Sequence, residues 1–329
     1  MARISFLFVI SCLYACAQTL VCSGCHVKES AAQPGTRMGR ALMVPGKNSI
    51  LNEHRKLSFQ QGKYSYVVDT RDDGESTYTV SDGDGAISLP LEWGFGAGAQ
   101  TFVLIKDGAF YESRVSFYPK TQSLYITMGD EHLNPQTLEE AIGRHLEMTE
   151  VNACFGCHSL NAEKNHRLNL EGLTPGVGCE RCHTGAGAHA ASLVQSKKPD
   201  KLGALSSESM ATYCGQCHRS WETVVRMNVR GESNVRFQPY RMAMSKCFDG
   251  KDPRISCVAC HNPHEEVVRT SAGYDKNCVA CHSHQQKVCK VAKSDCVSCH
   301  MPKSKQAADH IAFTDHMIRI VRPGEGYPN

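Results

Sequence analysis

The chain of 329 residues carries 36 lysines and arginines against 33 aspartates and glutamates, a net charge of only +3, without any basic run. This balance excludes the electrostatic footprint of a nucleic-acid-binding protein. Aromatic residues make up only 7%, which predicts a thin protein-only core, and 18 cysteines are far more than a reducing cytosol leaves without a bound partner.

The first residues have the three parts of a secretory signal. Met1-Ala2-Arg3 is a positive start, residues 4–14 are almost entirely apolar, and Ala15-Cys16-Ala17 offers small residues for cleavage. The apolar run is too short to span a bilayer. We therefore predict a signal peptide over residues 1–17 and an exported chain, in the periplasm or at the outer cell surface. A lipid anchor on Cys16, in the lipobox-like Leu13-Tyr14-Ala15-Cys16, is the alternative to simple cleavage.

A first C-x-x-C-H pattern at Cys22–His26 lies in a segment that we delimit as residues 18–59. Runs of β-branched and aromatic residues then alternate with turn signals such as Asp82-Gly83-Asp84-Gly85. These runs cover residues 64–68, 76–80, 101–105, 110–118 and 124–127. They predict an inserted antiparallel β-domain over residues 60–130.

The same pattern occurs six more times in residues 131–329, where chance predicts on the order of 0.05 matches in the whole chain. Its cysteines are Cys22, Cys25, Cys154, Cys157, Cys179, Cys182, Cys214, Cys217, Cys257, Cys260, Cys278, Cys281, Cys296 and Cys299. Its histidines are His26, His158, His183, His218, His261, His282 and His300. The intervals between the last six motifs leave room for a helix and a loop each, so a six-haem helical domain is predicted for residues 131–329.

The spacing of the motif has a chemical reason. Two thiols three residues apart can form thioethers with the two vinyl groups of one haem, and the adjacent histidine can then bind the iron. Zinc ribbons, redox-active cysteine pairs and disulfide scaffolds do not need a histidine after every second cysteine. We therefore predict seven covalently bound haems c. The expected fold is that of a multihaem cytochrome, mainly α with little regular structure around stacked haems, plus the inserted antiparallel β-domain.

Nine of the sixteen histidines lie outside the motifs, and seven haems with two histidines each would need seven of them. His264, three residues after His261, is too close to reach the opposite face of the same iron and would bind a neighbouring haem. The predicted distal ligands are His54, His189, His264, His310 and His316. Candidates left open between ligand and ordinary surface or core residue are His132, His145, His166, His284 and, for the first haem, Met38.

Cys247 and Cys289 lie outside both the motifs and the signal segment. Both are in the cysteine-rich half of a chain predicted to be exported, where disulfides form. We hypothesise a disulfide between them.

The chain resembles exported multihaem cytochromes related to the nitrifiers' tetrahaem cytochrome and, more distantly, to hydroxylamine oxidoreductase. The resemblance is carried by residues 93–98 (WGFGAG), 111–116 (YESRVS), 175–183 (PGVGCERCH), 260–264 (CHNPH), 299–303 (CHMPK) and 313–316 (FTDH). It implies closely stacked haem pairs that conduct electrons, with His189, His264, His310 and His316 as distal ligands. The C-x-x-C-K motif of pentahaem nitrite reductases is missing from the sequence, and hydroxylamine oxidoreductases carry eight haems rather than seven.

We therefore predict an electron carrier rather than an enzyme, and assign no catalytic residue. Its partners would be redox proteins, either other cytochromes or a membrane quinol-oxidising complex, with no nucleic acid and with membrane association only through a lipid anchor or a partner. The alternative is an oxidoreductase acting on small nitrogen or sulfur oxyanions at one five-coordinate haem, which we would place at the first motif. A third hypothesis makes the β-domain a docking module.

Overall fold

The computed structural model describes residues 22–191, 199, 201–283, 289–322 and 324–329. The predicted signal peptide, Cys16 and His284 lie outside these residues. The chain divides into two compact units. The first spans Met1–Pro199 and Ala307–Ile311, and the second spans Asp200–Gln306 and Ala312–Asn329.

A nine-stranded antiparallel sheet forms most of the first unit. Its strands are β1 (Leu42–Met43), β2 (Lys56–Gln61), β3 (Tyr64–Thr70), β4 (Ser76–Ser81), β5 (Ala86–Phe95), β6 (Gln100–Lys106), β7 (Ala109–Tyr118), β8 (Ser123–Ile126) and β9 (Gly143–Leu146). Strands β2 to β8 follow one another in chain order, while β1 pairs with β5 and β9 pairs with β7. Short turns therefore connect most neighbours, and the five runs singled out in the sequence lie in β3, β4, β6, β7 and β8.

The sheet curls until its first and last main strands approach each other. The rings of Phe59 on β2 and Tyr125 on β8 are in edge contact, with centroids 5.5 Å apart. On β3 every second side chain is buried, from Tyr64 through Tyr66 and Val68 to Thr70, as the two-residue period of a strand requires. The enclosed side packs these residues with others from the remaining strands into the largest apolar core of the described chain.

The prediction of a mainly α fold is wrong. The chain is 32% helical and 24% strand, because the sheet is larger than the runs in the sequence indicated. The sequence does not indicate strand β5, because it contains Pro90 and Gly94, residues that usually weaken a strand. The structure accommodates them beside a shift of register between Leu91 and Trp93. Strands β1, β2 and β9 have too few β-branched or aromatic residues to stand out.

The helices are short, from four to twelve residues. In the first unit they are α1 (Val27–Ala32), α2 (Ser49–Glu53), α3 (Leu138–Ile142), α4 (Met148–His158), α5 (Cys179–Cys182) and α6 (Ala186–Ala191). In the second they are α7 (Ser207–His218), α8 (Trp221–Met227), α9 (Gln238–Ala243), α10 (Cys257–Cys260), α11 (Asp275–His282) and α12 (Cys296–His300). Among the described residues, none of the helices has the length and apolar character needed to cross a membrane.

The remaining regular segments are two-stranded pairs and single 3₁₀ turns. The short strands are β10 (Ser159–Leu160), β11 (Glu163–Lys164), β12 (Arg167–Leu168), β13 (Thr174–Pro175), β14 (Lys303–Gln306) and β15 (Ile311–Thr314). Strand β10 pairs with β13, β11 with β12 and β14 with β15. The 3₁₀ turns are Gln33–Gly35, Leu202–Ala204, Gly231–Asn234 and Ser271–Tyr274.

Candidate haem-binding sites

The motifs share one backbone geometry. Helices α4, α7, α11 and α12 each end at the motif histidine, whereas the histidine directly follows α5 and α10. In the motifs of His26, His183 and His261, the histidine N–H donates to the carbonyl of the first cysteine at 2.8, 2.8 and 2.9 Å. Residues three apart lie on the same face of a helical turn, so both thiols face one side with the histidine beside them.

This geometry fits a covalently attached haem. Two thiols on one face match the two vinyl groups at one edge of the porphyrin, and all fourteen motif cysteines are free of disulfides. The neighbouring imidazole is in place to bind iron as the proximal ligand. The donor set therefore suits haem c at every motif.

Three motifs are neighbours in the first unit. The thiols of Cys22 in the first motif and Cys179 in the third lie within electrostatic range of each other. Arg181, inside the third motif, donates from Nη2 to the carbonyls of Gly156 and Ser159 at 2.5 and 2.6 Å, and so reaches the second motif. The first motif, although 132 residues from the second in sequence, is thus close to the other two in space.

A glycine permits the close approach of the segments that carry these motifs. The Gly176 N–H donates to the His158 carbonyl at 3.1 Å, and the Val177 N–H donates to the Met38 carbonyl at 2.9 Å. Gly176 has a φ of +83°, and a Cβ there would overlap the carbonyl of Gly39. Only glycine satisfies both conditions without strain.

The other four motifs form a continuous run in the second unit. Cys214 of the fourth motif and Cys257 of the fifth are in side-chain hydrogen-bond contact. Asn277, directly before the sixth motif, donates from Nδ2 to the Ala259 carbonyl of the fifth at 2.6 Å. Asp275, at the start of α11, accepts from the Cys296 N–H of the seventh at 2.9 Å. Each motif of this unit therefore contacts the next along the chain.

Two motif histidines each have a hydrogen bond between ring nitrogen Nδ1 and a backbone carbonyl oxygen, which orients the ring. Nδ1 of His158 lies 2.8 Å from the Ala41 carbonyl oxygen, and Nδ1 of His300 lies 2.9 Å from that of Arg319. Metal-binding histidines usually donate one ring N–H to such an oxygen, which fixes the tautomer whose Nε2 binds the metal. These two proximal histidines have the required support.

His316 lies near the histidine of the fifth motif. Its ring centroid is 6.2 Å from that of His261. A metal–imidazole bond is about 2 Å long, so two imidazoles on opposite sides of one ion have centroids roughly 6 Å apart. Nδ1 of His316 lies 2.9 Å from the Thr314 carbonyl oxygen, and Nδ1 of His261 lies 3.4 Å from the Tyr274 hydroxyl. The pair has the spacing at which His261 and His316 would both be able to hold one iron.

Burial favours the metal-binding form of both rings. It lowers the pKa of His316 to about 4 and lowers the pKa of His261 below its ordinary value. Both imidazoles are therefore neutral near pH 7, and the neutral imidazole is the form that ligates iron.

The other predicted distal ligands have varied surroundings. His310 stacks on Tyr125 with centroids 4.1 Å apart, and its Nδ1 is 3.1 Å from the Thr121 hydroxyl. His189, on α6, has a buried Nδ1 without a hydrogen-bond partner. His54 contacts the ring of Phe117 at 4.9 Å, and the His264 N–H donates to Asn262 Oδ1 at 3.1 Å. Their assignment as iron ligands stays a prediction.

The residues that the sequence leaves undecided between iron ligand and ordinary residue are mostly on the surface. His132, His145 and His166 are exposed. His166 has a side chain 99% accessible and lies 3.3 Å from Glu163 Oε1, a solvated arrangement. Met38 is half-buried.

The hypothesised disulfide is not formed in the structure. Cys247 and Cys289 are both exposed and both free. Cys247 instead lies within electrostatic range of Cys278 and Cys281 of the sixth motif. Burial raises the pKa of Cys247, whereas hydrogen bonds from the backbone at Ala292 and Val291 lower the pKa of Cys289. The two thiols have different environments.

Two comparisons with known proteins agree with this geometry. Residues 119–184, which contain the second and third motifs, match the family described as cytochrome c554 and c-prime. The fold is similar to the crystal structure of the outer cell wall cytochrome OcwA, with a TM-score of 0.52 and 13% identity over 92% of this chain and 79% of that chain. Together they support a multihaem c-type cytochrome. None of the curated protein sequences matches this chain significantly.

The sequence does not reveal the polar residues that hold the motifs of this chain together. Arg181, Asp275 and Asn277 are ordinary surface residue types, and nothing in their spacing marks their partners. The charged pair inside the third motif, Glu180-Arg181, is the one feature of the sequence that could have indicated such a contact. Two charged side chains next to an apolar haem edge would need polar partners elsewhere.

Proposed function

We propose that the chain is an exported electron-transfer protein carrying seven covalently bound haems c. The observation that carries the proposal is the contact between neighbouring motifs within each unit: the third motif contacts the first and the second, and each of the last four motifs is held against the next. When bound, haem iron exchanges single electrons between its ferric and ferrous states. Contact between the segments that hold the cofactors would bring the haems of each unit close enough for such exchange.

The protein's own residues support a carrier in which axial positions are filled. The Thr314 and Arg319 carbonyls accept from ring nitrogens of His316 and His300, which holds those rings in fixed orientations. A second imidazole opposite His261 leaves no open face for a substrate at that site. Rigid, filled coordination suits electron transfer better than catalysis.

Export and redox partners belong to the same proposal. The signal-like residues 1–17 and the cysteine content support a location in the periplasm or at the outer cell surface, and the similar OcwA is named as an outer cell wall cytochrome. The partners would be other redox proteins. The narrower kinship with the hydroxylamine oxidoreductase group, and the domain boundaries at residues 59/60 and 130/131, are part of this proposal too.

Haem stoichiometry and spin state test the proposal. Intact mass and pyridine haemochrome absorbance should give seven haems per chain, and electron paramagnetic resonance should find every haem low-spin and unreactive with CO. A matched variant, His166→Ala, alters an exposed histidine and should change neither result. A CO-reactive, high-spin fraction of about one haem in seven would favour the oxyanion oxidoreductase, and fewer than seven haems would contradict the stoichiometry.

A further inference from the structure

A buried ion network lies in the second unit, next to the tail that carries His316. The side chains of Arg241 and Asp315 are both 0% exposed. Arg241 donates from Nε to Asp315 Oδ1 at 2.7 Å and from Nη2 to Asp315 Oδ2 at 2.8 Å. Arg319 donates from Nη1 to the same Oδ2 at 2.7 Å. One carboxylate is thus held between two guanidinium groups.

The network is completed by groups from separate parts of the chain. Arg241 Nη1 donates to Asn234 Oδ1 at 3.0 Å, and Arg319 Nε donates to Glu325 Oε1 at 3.1 Å. Two arginines and two carboxylates balance in charge. Burying such a network costs desolvation energy that apolar side chains of similar volume would avoid, so it is weak evidence for stability alone. What it offers is a fixed geometry.

That geometry fixes the backbone around two iron-binding histidines. Asp315 immediately precedes His316, whose carbonyl also accepts from Ser245 Oγ at 2.7 Å. The Arg319 carbonyl accepts from Nδ1 of His300, and the Arg319 N–H donates to the His300 carbonyl at 3.2 Å. The tail from residue 315 to residue 319 is therefore clamped at both ends, with one distal and one proximal ligand attached to it.

We propose that the Arg241–Asp315–Arg319 network positions His316 opposite His261 and orients His300, and thereby completes the coordination of the fifth haem. The inference rests on the proposed function, because it takes these histidines as iron ligands. The network touches no iron and acts only through the backbone that it holds. Lysine cannot replace Arg241, since an ammonium group lacks the planar fork that binds both carboxylate oxygens.

The experiment compares the haem-loaded full chain with Arg241→Lys, Asp315→Asn and His316→Ala. The matched control is Arg254→Lys, because Arg254 makes a similar forked contact with Asp252 but its side chain is 76% exposed. Intact mass first confirms that each variant carries as many haems as the wild type. Electron paramagnetic resonance and CO difference spectra then report coordination, which a merely stabilising network would leave unchanged below the unfolding temperature.

We expect Arg241→Lys and Asp315→Asn to keep all haems and to acquire a high-spin, CO-reactive fraction of about one haem in seven, as His316→Ala does, while Arg254→Lys stays low-spin. The proposal is overturned if His316→Ala alone changes the spin state, or if none of the three variants does. A wild type with fewer than seven haems would instead contradict the proposed function. If Arg241→Lys and Asp315→Asn fail to incorporate haem, the spin state of Arg319→Lys, which keeps the Arg241–Asp315 pair, is compared with those of His316→Ala and Arg254→Lys instead.

Discussion

Among single residues, Asp130 is a buried carboxylate in the sheet-containing unit. Arg114 lies on strand β7 at the point where the pairing partner changes: the residues before it pair with β9, and the residues after it pair with β8. Arg114 is 1% exposed and donates to the carbonyls of Asp130 and Leu133 rather than to a carboxylate. Asp130 Oδ2 is buried without a hydrogen-bond partner. Burial first, and then the nearby charge of Glu112, raise the pKa of Asp130 to about 6.

The raised pKa predicts a stability that increases as the pH falls. The folded state holds the Asp130 proton up to about pH 6, whereas the unfolded chain loses it near its ordinary value of 3.8. Ionisation therefore destabilises the fold as the pH rises through 6, by on the order of 2–3 kcal/mol. We expect Asp130→Asn to raise the free energy of unfolding at pH 7 by about 1–3 kcal/mol and to change little at pH 4. Denaturant titrations at pH 4 and pH 7 measure the free energy of unfolding, and Asp84→Asn, at an exposed position, is the control. An equal effect of Asp130→Asn at the two pH values would contradict the raised pKa of Asp130.

Gly176 allows a second prediction at this scale. Alanine at this position would have to adopt a left-handed φ and displace the Gly39 carbonyl, so we expect Gly176→Ala to lower the free energy of unfolding by about 2 kcal/mol or more. Gly35→Ala, which meets nothing within 4 Å, should change it by less than about 0.5 kcal/mol. Thermal unfolding followed by circular dichroism compares the two, and similar midpoints would show that the segments can separate without cost.

At the level of elements, the motif helices and the turns between strands were readable from sequence, whereas their contacts were not. The C-x-x-C-H spacing fixes a helical turn because the chemistry of attachment requires one, and the strands β3, β4, β6, β7 and β8 follow from β-branched and aromatic runs. Strand β5 was hidden by Pro90 and Gly94, since its pairing depends on neighbours distant in sequence. The proximity of the first and third motifs is likewise a product of tertiary folding. His316 and His261 are both predicted from the sequence as ligands, but the sequence does not indicate that the two face each other.

Arg181 gives a prediction about how two motif helices are held together. Its Nη2 donates to two carbonyls at the end of α4, and each lost hydrogen bond to a charged group costs about 1.5–3 kcal/mol. We expect Arg181→Met to keep the haem content but to accelerate amide hydrogen exchange in residues 154–160 by roughly tenfold or more. Arg167→Met, at an exposed position of β12, is the control, and unchanged exchange in the Arg181 variant would rule out this role.

At the scale of the whole molecule, three motifs lie in the first unit and four in the second. Along the sequence, by contrast, one motif precedes the sheet's main strands and six follow them. The first motif contributes contacts to the same unit as the sheet. Its loss should therefore weaken that unit instead of removing an independent segment.

Replacing both cysteines of the first motif, Cys22→Ser with Cys25→Ser, tests this arrangement. We expect an intact mass that is lower by one haem, a lower unfolding midpoint for the sheet measured by far-ultraviolet circular dichroism, and an unchanged low-spin signal from the fifth haem. The corresponding change at Cys296 and Cys299 should remove one haem and leave the sheet's midpoint unaltered. Identical melting of the sheet in both variants would contradict the assignment of the first motif to the first unit.

The late position of His316 has a consequence for how the protein is made. On the proposed function, His261 would be synthesised and exported well before His316, which lies 55 residues further along the chain. All seven motifs end by His300, so every thioether could form before residue 316 emerges. Cofactor attachment and completion of the fifth haem's coordination would then be separate steps of biogenesis. A ribosome that stopped after residue 311 would be expected to release a protein with its haems attached but with one iron accessible to oxygen.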